Sequence, residues 1–363
     1  MYDVIIIGAG PAGTAAGFDL VSSGLSVLIL DRHSFPRKKA CAGGITPKAK
    51  NLFAYDISFL FHQTCHEIKV TCPHGDSFTA RDKQPLCYMV QRKDLDAYSL
   101  NKVVSAGGNF KRISQVLSVE SIPDKVVVNV AIGNGQKQYR ARYVIGADGA
   151  NSRVRTLLGL PKFKGMKYPA LEADVRVERP GDYPMEFDFS RKISGYYWIF
   201  PKKDHVNIGI FGTGPQVPMN RALLKDYAKK RLGTDQLEAV KGYPIGTRGR
   251  ASIPGQGRVL LTGDAAGFAE PLFGEGIYFA LKSGRLAARA ILQDRKNQAD
   301  ALIIYSRFLK PVRADLRFYD WGSKIFYRFP RFCLGLASHS LIHSCFSRAY
   351  AAGKPISRIF SPF

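Results

Sequence analysis

Short unbroken apolar runs alternate with longer mixed segments along the first third of the chain, as expected when buried parallel strands alternate with helices. Val4 to Ile7 is such a run, Thr14 to Val21 reads as a helix, and Leu25 to Leu30 is a second run that ends at Asp31. Pro47 to Phe53 and Gln91 to Ala106 have helical patterning, the latter opening at Arg92. Elsewhere the period shortens to two. Glu67 to Ala80 alternate about Pro73-His74-Gly75-Asp76, which predicts a hairpin, and Val126 to Ile132 with Gln138 to Val144 predict another about Gly133-Asn134-Gly135. Glu172 to Val177, Met185 to Phe189, Gly195 to Pro201 and Val206 to Phe211 add four strands, and from about residue 284 the chain is helical.

The pattern predicts an α/β protein in which a Rossmann-type nucleotide domain is interrupted by a second domain built on an antiparallel β-sheet. Residues 1–64, 91–165 and 251–300 are assigned to the nucleotide domain, 65–90 and 166–250 to the sheet domain, and 301–363 to a C-terminal helical segment.

The turn after the first strand carries the first candidate chemistry. Gly8, Gly10 and Gly13 stand at G-x-G-x-x-G spacing with Pro11 and Ala12 between them. The first glycine allows the tight turn, the second lets backbone approach a pyrophosphate, and the third lets helix pack on strand. The free N–H groups and positive end of that helix face the diphosphate. Asp31 falls roughly 20 residues on, where a carboxylate binds the ribose hydroxyls of an adenosine. A second such fingerprint at a strand–helix junction is lacking, so one dinucleotide site is expected.

Composition narrows the function. Length, 45% hydrophobic and 12% aromatic content describe a folded chain with room for two cores. The six cysteines (Cys41, Cys65, Cys72, Cys87, Cys333, Cys345) form no C-x-x-C pair and no zinc or iron–sulfur spacing. Without a secretion signal, free thiols and a cytoplasmic location are expected. The formal charge is +24, yet the bases are spread rather than gathered, and no nucleic-acid-binding pattern accompanies them. They thicken only after Arg307, interleaved with Phe318, Tyr319, Trp321, Phe326, Tyr327, Phe329 and Phe332. Bases mixed with aromatics suit an anionic membrane surface, and a solvated basic helix pair explains them equally well.

Three stretches taken together resemble a known class. VIIIGAGPAG (4–13), GADGANSRVR (146–155) and GDAAGFAEPLFGEG (263–276) occur in the order of the p-hydroxybenzoate-hydroxylase-like FAD proteins. Within that class, two further stretches resemble the geranylgeranyl reductase family: the loop Cys41-Ala42-Gly43-Gly44 after Pro36-Arg37, and Tyr196-Tyr197-Trp198-Ile199-Phe200-Pro201, similar to its Y-x-W-x-F-P motif. The resemblance covers residue 2 to about 300. It implies FAD as cofactor, with Asp148 and Arg155 near the pyrophosphate, Arg92 also contacting the cofactor, and Gly263-Asp264 at the ribityl chain. It further implies that Gly274, Gly276 and Ile277 open a helix toward the pyrimidine end, and that the Cys41–Gly44 loop lies beside the isoalloxazine. Arg32 and Val116 complete the implied cofactor set. Ala42 departs from the family's usual glycine.

The implied activity is hydrogenation of C=C bonds in a polyprenyl chain, with NADPH or another low-potential donor reducing the flavin transiently. Alternation on a strand puts Tyr196, Trp198 and Phe200 on one face, an aromatic wall that with Pro201 suits a long apolar substrate, though such a strand equally packs its own core. Cys41 is the first candidate proton donor and Tyr196 the second; a buried structural cysteine is an equal alternative. Two other functions stay open: an FAD-dependent monooxygenase or halogenase on the same fold, and a flavin-binding membrane-associated protein without turnover.

Overall fold

A computed structural model describes every residue except 73–76, 162–166, 190–192, 214–218, 248–252, 339–346 and 356–363. The chain forms two compact units, Met1–Lys38 with Lys93–Lys167 and Ile245–Arg317, and Lys39–Arg92 with Tyr168–Pro244 and Phe318–Phe363.

The first unit is built on an eight-stranded sheet. Its main path runs Gly255–Gln256, Val259–Leu261, Gly135–Gly146, Tyr2–Ile7, Val27–Asp31 and Asn109–Arg112. Tyr2–Ile7 lies at the centre, parallel to both neighbours, with Ile6 opposite Ile145 on one side and Ile29 on the other. Covered on both faces, Val4, Ile5 and Ile6 have no exposed surface, which is why this strand reads as an apolar run and not as an alternation. Lys125–Ile132 pairs antiparallel with the long strand Gly135–Gly146, and Gln115–Ile122 pairs with Lys125–Ile132 in turn. Helices Pro11–Ser22 and Ile277–Asn297 cross in close contact. A Cβ on Gly284 would stand 2.2 Å from the Ala12 carbonyl oxygen, so only glycine permits this approach.

The second unit holds a seven-stranded sheet ordered Glu238–Gly246, Lys167–Val175, Val206–Gly212, Gly195–Pro201, Met185–Asp188, Glu67–Thr71 and Ser77–Arg81. One face packs Ala173, Tyr197, Ile199, Ile208 and Ile210 against Leu224, Tyr227 and Ala228 of helix Arg221–Leu232. The alternate residues of the same strands, Tyr196, Trp198 and Phe200, occupy the opposite face. A small antiparallel sheet joins Gly44–Ile45, Cys87–Met89 and Gln63–Cys65.

Several boundaries differ from the sequence reading, each for a local reason. Met185–Asp188 and Glu67–Thr71 pair in parallel beside antiparallel neighbours, because these strands are far apart in sequence and no hairpin turn dictates their direction. Segment 39–64 groups with the second unit, since Gly44–Ile45 and Gln63–Cys65 both pair with Cys87–Met89. Residues 301–317 group with the first, where the Tyr305 hydroxyl donates to the Leu261 carbonyl at 2.9 Å. The helix that the pattern placed from about 284 opens at Ile277: residues 277 to 281 are all buried, so no polar face marks its start. The helix at Pro47 is a single turn to Lys50, capped by the Thr46 side chain. The turn at 73–76 lies outside the described residues, but its flanking strands pair as a hairpin.

Candidate functional site

The first unit presents a cradle made from the glycine-bearing turns. Gly8 has φ +108, and a Cβ there would meet the Ala147 carbonyl oxygen at 2.3 Å, so the first turn packs directly on the 147–148 peptide. At Gly13 a Cβ would fall 1.9 Å from the Gly8 oxygen. Gly10 is open by contrast: only the Arg37 guanidinium comes near, 3.8 Å from where a Cβ would sit. Helix Pro11–Ser22 starts at Gly10 and helix Ile277–Asn297 at Gly276, and neither has a side chain capping its N-terminal N–H groups. Gly263, at φ +54, brings Ala12 and Ala280 each within 3.3 Å of where its Cβ would be. Two uncapped helix N-termini held by glycine contacts form an anion-binding concavity, and these residues fit an FAD diphosphate and the electron-rich end of a flavin.

The carboxylates implied for the cofactor have partners within the protein. Asp31 accepts the Ala9 N–H at 2.8 Å and the His33 N–H at 2.9 Å, which ties the first glycine turn to the end of the second strand and leaves lone pairs for ribose hydroxyls. Asp148 is different. Its carboxylate accepts Ser152 Oγ at 2.6 Å, Arg153 N–H at 2.7 Å and Val154 N–H at 3.0 Å, so its side chain braces the start of helix Arg153–Leu157. Burial raises its pKa, and those donors oppose the shift. Arg155 is buried and donates to the Ala265 carbonyl at 2.9 Å and the Pro161 carbonyl at 3.3 Å, so it ties the second stretch to the third. Both residues therefore shape the cradle with side chains already engaged, where the resemblance implied a place near the pyrophosphate. Asp264 accepts the Gly246 N–H at 3.3 Å, and a Cβ on Gly276 would lie 3.4 Å from its other oxygen. Gly274 has φ +70 in the turn before Ile277. Val116 is buried and its carbonyl accepts from Arg153 Nε, Arg92 is buried at the opening of its helix, and Arg32 is exposed.

Two residues of this unit carry weight that motif reading missed. Arg37, beside Gly10, pairs with buried Asp96 at 3.1 Å, while its Nε is buried without a hydrogen-bond partner, a donor suited to a phosphate oxygen. Glu270, fully buried, accepts the N–H groups of Leu272 (2.6 Å), Phe273 (2.8 Å) and Glu275 (2.9 Å) and so winds Pro271–Gly276 about its own carboxylate. Burial pushes its pKa up to about 7 against those donors. Arg37 was visible only as part of a loop and Glu270 only as the residue before a turn.

The second unit brings together the other predicted residues. Tyr196, Trp198 and Phe200 lie along one strand face with Phe187, Phe189 and Phe211, joined by edge and tilted ring contacts of 5.1 to 6.5 Å. The Trp198 ring lies over Gly209, and its Nε1–H donates to Asn207 Oδ1 at 2.8 Å. All three rings and Pro201 are buried. The Cys41–Gly44 loop meets this wall, since a Cβ on Gly44 would stand 3.1 Å from the Phe200 ring. Gly43 has φ +71 and its carbonyl accepts the Val90 N–H at 2.9 Å. Ala42 keeps an ordinary negative φ, so the departure from the family's glycine places no strain on the loop.

Sequence reading also missed the charges beneath this loop. Lys202, fully buried, donates from Nζ to the Ala42 and Val90 carbonyls, and Glu172 accepts the Cys41 N–H. In the sequence Lys202 stands in a Lys-Lys-Asp turn between two strands and Glu172 within a strand, and neither position marks a buried charge. No group of three or more His, Cys, Asp and Glu side chains suited to a metal is found among the described residues.

The family described as FAD binding domain matches residues 1–219. The chain is 30% identical to geranylgeranyl diphosphate reductase of Rhodobacter capsulatus, over 85% of this chain and 80% of that protein. It is 30% identical to digeranylgeranylglycerophospholipid reductase 1 of Methanopyrus kandleri, over 80% of each. A flavin-dependent brominase of known structure shares the fold, with TM-score 0.81, 22% identity, and coverage of 97% of this chain and 93% of that one.

Proposed function

This chain belongs to the geranylgeranyl reductase family of proteins with an FAD binding domain, and from that membership we propose that it is an FAD-dependent oxidoreductase that hydrogenates C=C bonds of a geranylgeranyl-type chain. The observation that carries this reading is the meeting of the Cys41 loop with the aromatic face at Gly44 and Phe200. A broad apolar wall met by a loop that carries a thiol matches a long hydrocarbon that must gain hydrogen at a defined position.

When bound, the flavin supplies a hydride to one alkene carbon. The protein must bring a proton to the other carbon, and an isolated alkene accepts hydride poorly unless that proton is well placed and water is kept out. Cys41 Sγ is the first donor in this proposal and Tyr196 Oη the second; the thiolate left by Cys41 recovers its proton from water. The cradle of the first unit holds the diphosphate through Gly10 and the helix N-termini, with the Arg37 guanidinium beside it. The sequence carries one dinucleotide fingerprint, assigned to FAD, so NADPH or another low-potential donor would have to bind transiently, without a Rossmann site of its own.

No helix among the described residues is long and apolar enough to cross a membrane. The proposed membrane contact is interfacial. Trp321 and Phe332 are 63% and 65% exposed, Phe329 and Leu336 are exposed with them, and Arg328 and Arg331 add charge that matches anionic headgroups. Flotation with anionic vesicles is expected, and Trp321→Ala with Phe332→Ala should weaken it.

The deciding experiment is anaerobic turnover with dithionite and a geranylgeranyl lipid, read by mass spectrometry as a gain of two hydrogens per double bond reduced. Cys41→Ala should leave flavin reduction intact and slow reoxidation by the lipid. Oxygen-dependent hydroxylation or bromination without lipid reduction would point to the monooxygenase or halogenase reading instead. A bound flavin that no prenyl lipid reoxidises would point to the non-catalytic one.

A further inference from the structure

Beneath the Cys41 loop lies a pair of opposite charges, Glu172 and Lys202. Glu172 projects from strand Lys167–Val175 and Lys202 directly follows strand Gly195–Pro201. Glu172 accepts the N–H of Cys41, and Lys202 Nζ donates to the carbonyl of Ala42, the next residue. The same ammonium donates to the Val90 carbonyl at 3.1 Å and approaches Met89 Sδ at 3.8 Å. Residues 37–43 have no regular secondary structure, so the ladder that begins at Gly44–Ile45 leaves Cys41 and Ala42 to be fixed by side chains.

We propose that Glu172 and Lys202 are a positioning pair that grips the Cys41–Ala42 segment from both ends, the carboxylate by its N–H and the ammonium by its C=O, and so sets where the Cys41 thiol stands. The pair touches neither substrate nor reacting atoms and acts through the loop. The inference deepens the reading of Cys41 as proton donor and rests on it only for the pair's catalytic consequence; the grip itself is independent of any substrate.

The charge environment is consistent with a pair held for position. Lys202 is surrounded by Cys41, Cys65, Cys87 and Glu172; burial lowers its pKa and those groups oppose the shift. Glu172 faces Asp174, Lys202 and Lys39, and burial raises its pKa to about 7, with the Cys41 N–H pulling the other way. Asp174 is engaged elsewhere, accepting from Asn207 Nδ2 at 2.9 Å and lying 3.3 Å from His205 Nε2, while Lys39 stands over the Tyr243 ring. Lys202 thus holds the loop segment at its Ala42 carbonyl, the end opposite the Cys41 N–H that Glu172 accepts. Removing either partner leaves a buried charge without its counterpart, whereas a conservative change keeps the grip.

Hydrogen exchange of the FAD-loaded full chain tests this, read by mass spectrometry on a peptide spanning Cys41 to Gly44. Lys202→Met and Glu172→Ala should speed exchange in that peptide by about tenfold or more, while Lys202→Arg and Glu172→Gln, which keep the donor and the acceptor, restore it to within about threefold of wild type. Flavin content and exchange in the strand Tyr2–Ile7 should not change. Unaltered exchange in Lys202→Met and Glu172→Ala would overturn the proposal, as would equal acceleration in the conservative variants. If the disruptive variants fail to fold, the conservative pair still decides: acceleration by Lys202→Arg and Glu172→Gln together would overturn the grip. None of these readings involves a prenyl lipid, so a failed reductase assay leaves this result standing, and a failed exchange test leaves the reductase reading standing.

Discussion

Glu270 offers the sharpest test of how the cofactor cradle is held. One of its oxygens accepts the Phe273 and Glu275 N–H groups and the other accepts that of Leu272, in a site without solvent exposure. Glu270→Ala takes the acceptor from three part-buried donors, each costing at most about 1–3 kcal/mol, so the loss is roughly 2–5 kcal/mol. Glu270→Gln keeps the oxygen that serves two donors and turns an NH2 toward Leu272, so it should cost about 1–3 kcal/mol. The order wild type, Gln, Ala therefore follows from the geometry alone. Since the carboxyl titrates at about 7, the comparison belongs above that pH, where it is ionised. Urea unfolding of the apoprotein gives the stability order, and FAD titration by fluorescence should show a dissociation constant about tenfold or more weaker in the Ala variant, as the turn carrying Gly274 and Gly276 loosens. A Glu270→Ala protein with unchanged unfolding midpoint would refute the reasoning, because the three N–H groups would then lose nothing when their shared acceptor is removed.

Three further outcomes are expected. Gly284→Ala drives a Cβ to 2.2 Å from the Ala12 oxygen, so the two cradle helices must separate; roughly 1–3 kcal/mol of stability and much of the FAD affinity should go, as thermal melts with and without cofactor will report. Gly209→Ala places a methyl 2.0 Å from the Trp198 ring and displaces it, so prenyl turnover should fall about tenfold or more while bound FAD stays stoichiometric. Glu172 and Glu270 both have pKa values raised from 4.5 to about 7, so the folded state holds their protons more tightly than the unfolded state. Their contribution is present in full below pH 4.5 and is lost as pH rises through 7, by roughly 3 kcal/mol each at most. Melting temperatures measured across that range should decline less steeply in Glu172→Gln than in wild type.

Much of the first unit was legible because its signals are local. The run Val4–Ile7, the glycine spacing and the acid ending the second strand lie within one stretch of chain, and the resulting strand and helix follow it closely. The hairpins were legible from their turn residues. Pairings between distant segments carry no such local mark, so the parallel contact of Met185–Asp188 with Glu67–Thr71 and the three-stranded sheet under Cys41 were not foreseen. Buried charge is the harder case. Lys202 follows an apolar strand within a lysine-rich turn, and Glu172 alternates with apolar neighbours; on a strand, either pattern describes a solvent-facing residue. Their burial comes from the loop laid over them, which sequence spacing does not reveal. Asp148 and Arg155 fall between these cases: their positions in the motif were evident, but the partners that occupy their side chains were not.

The contact between Ala12 and Gly284 has a consequence for how the protein is made. The first fingerprint leaves the ribosome well before the helix that closes the cradle, and at about 5–20 residues per second the interval between the two is roughly 14–54 s. During that time strand Gly135–Gly146 exists without Val259–Leu261 at its flank, and the first helix lacks its neighbour. Cofactor capture is therefore a late event in biogenesis, and supplying FAD should rescue mainly completed chains, leaving nascent ones dependent on holding factors until residue 284 has emerged.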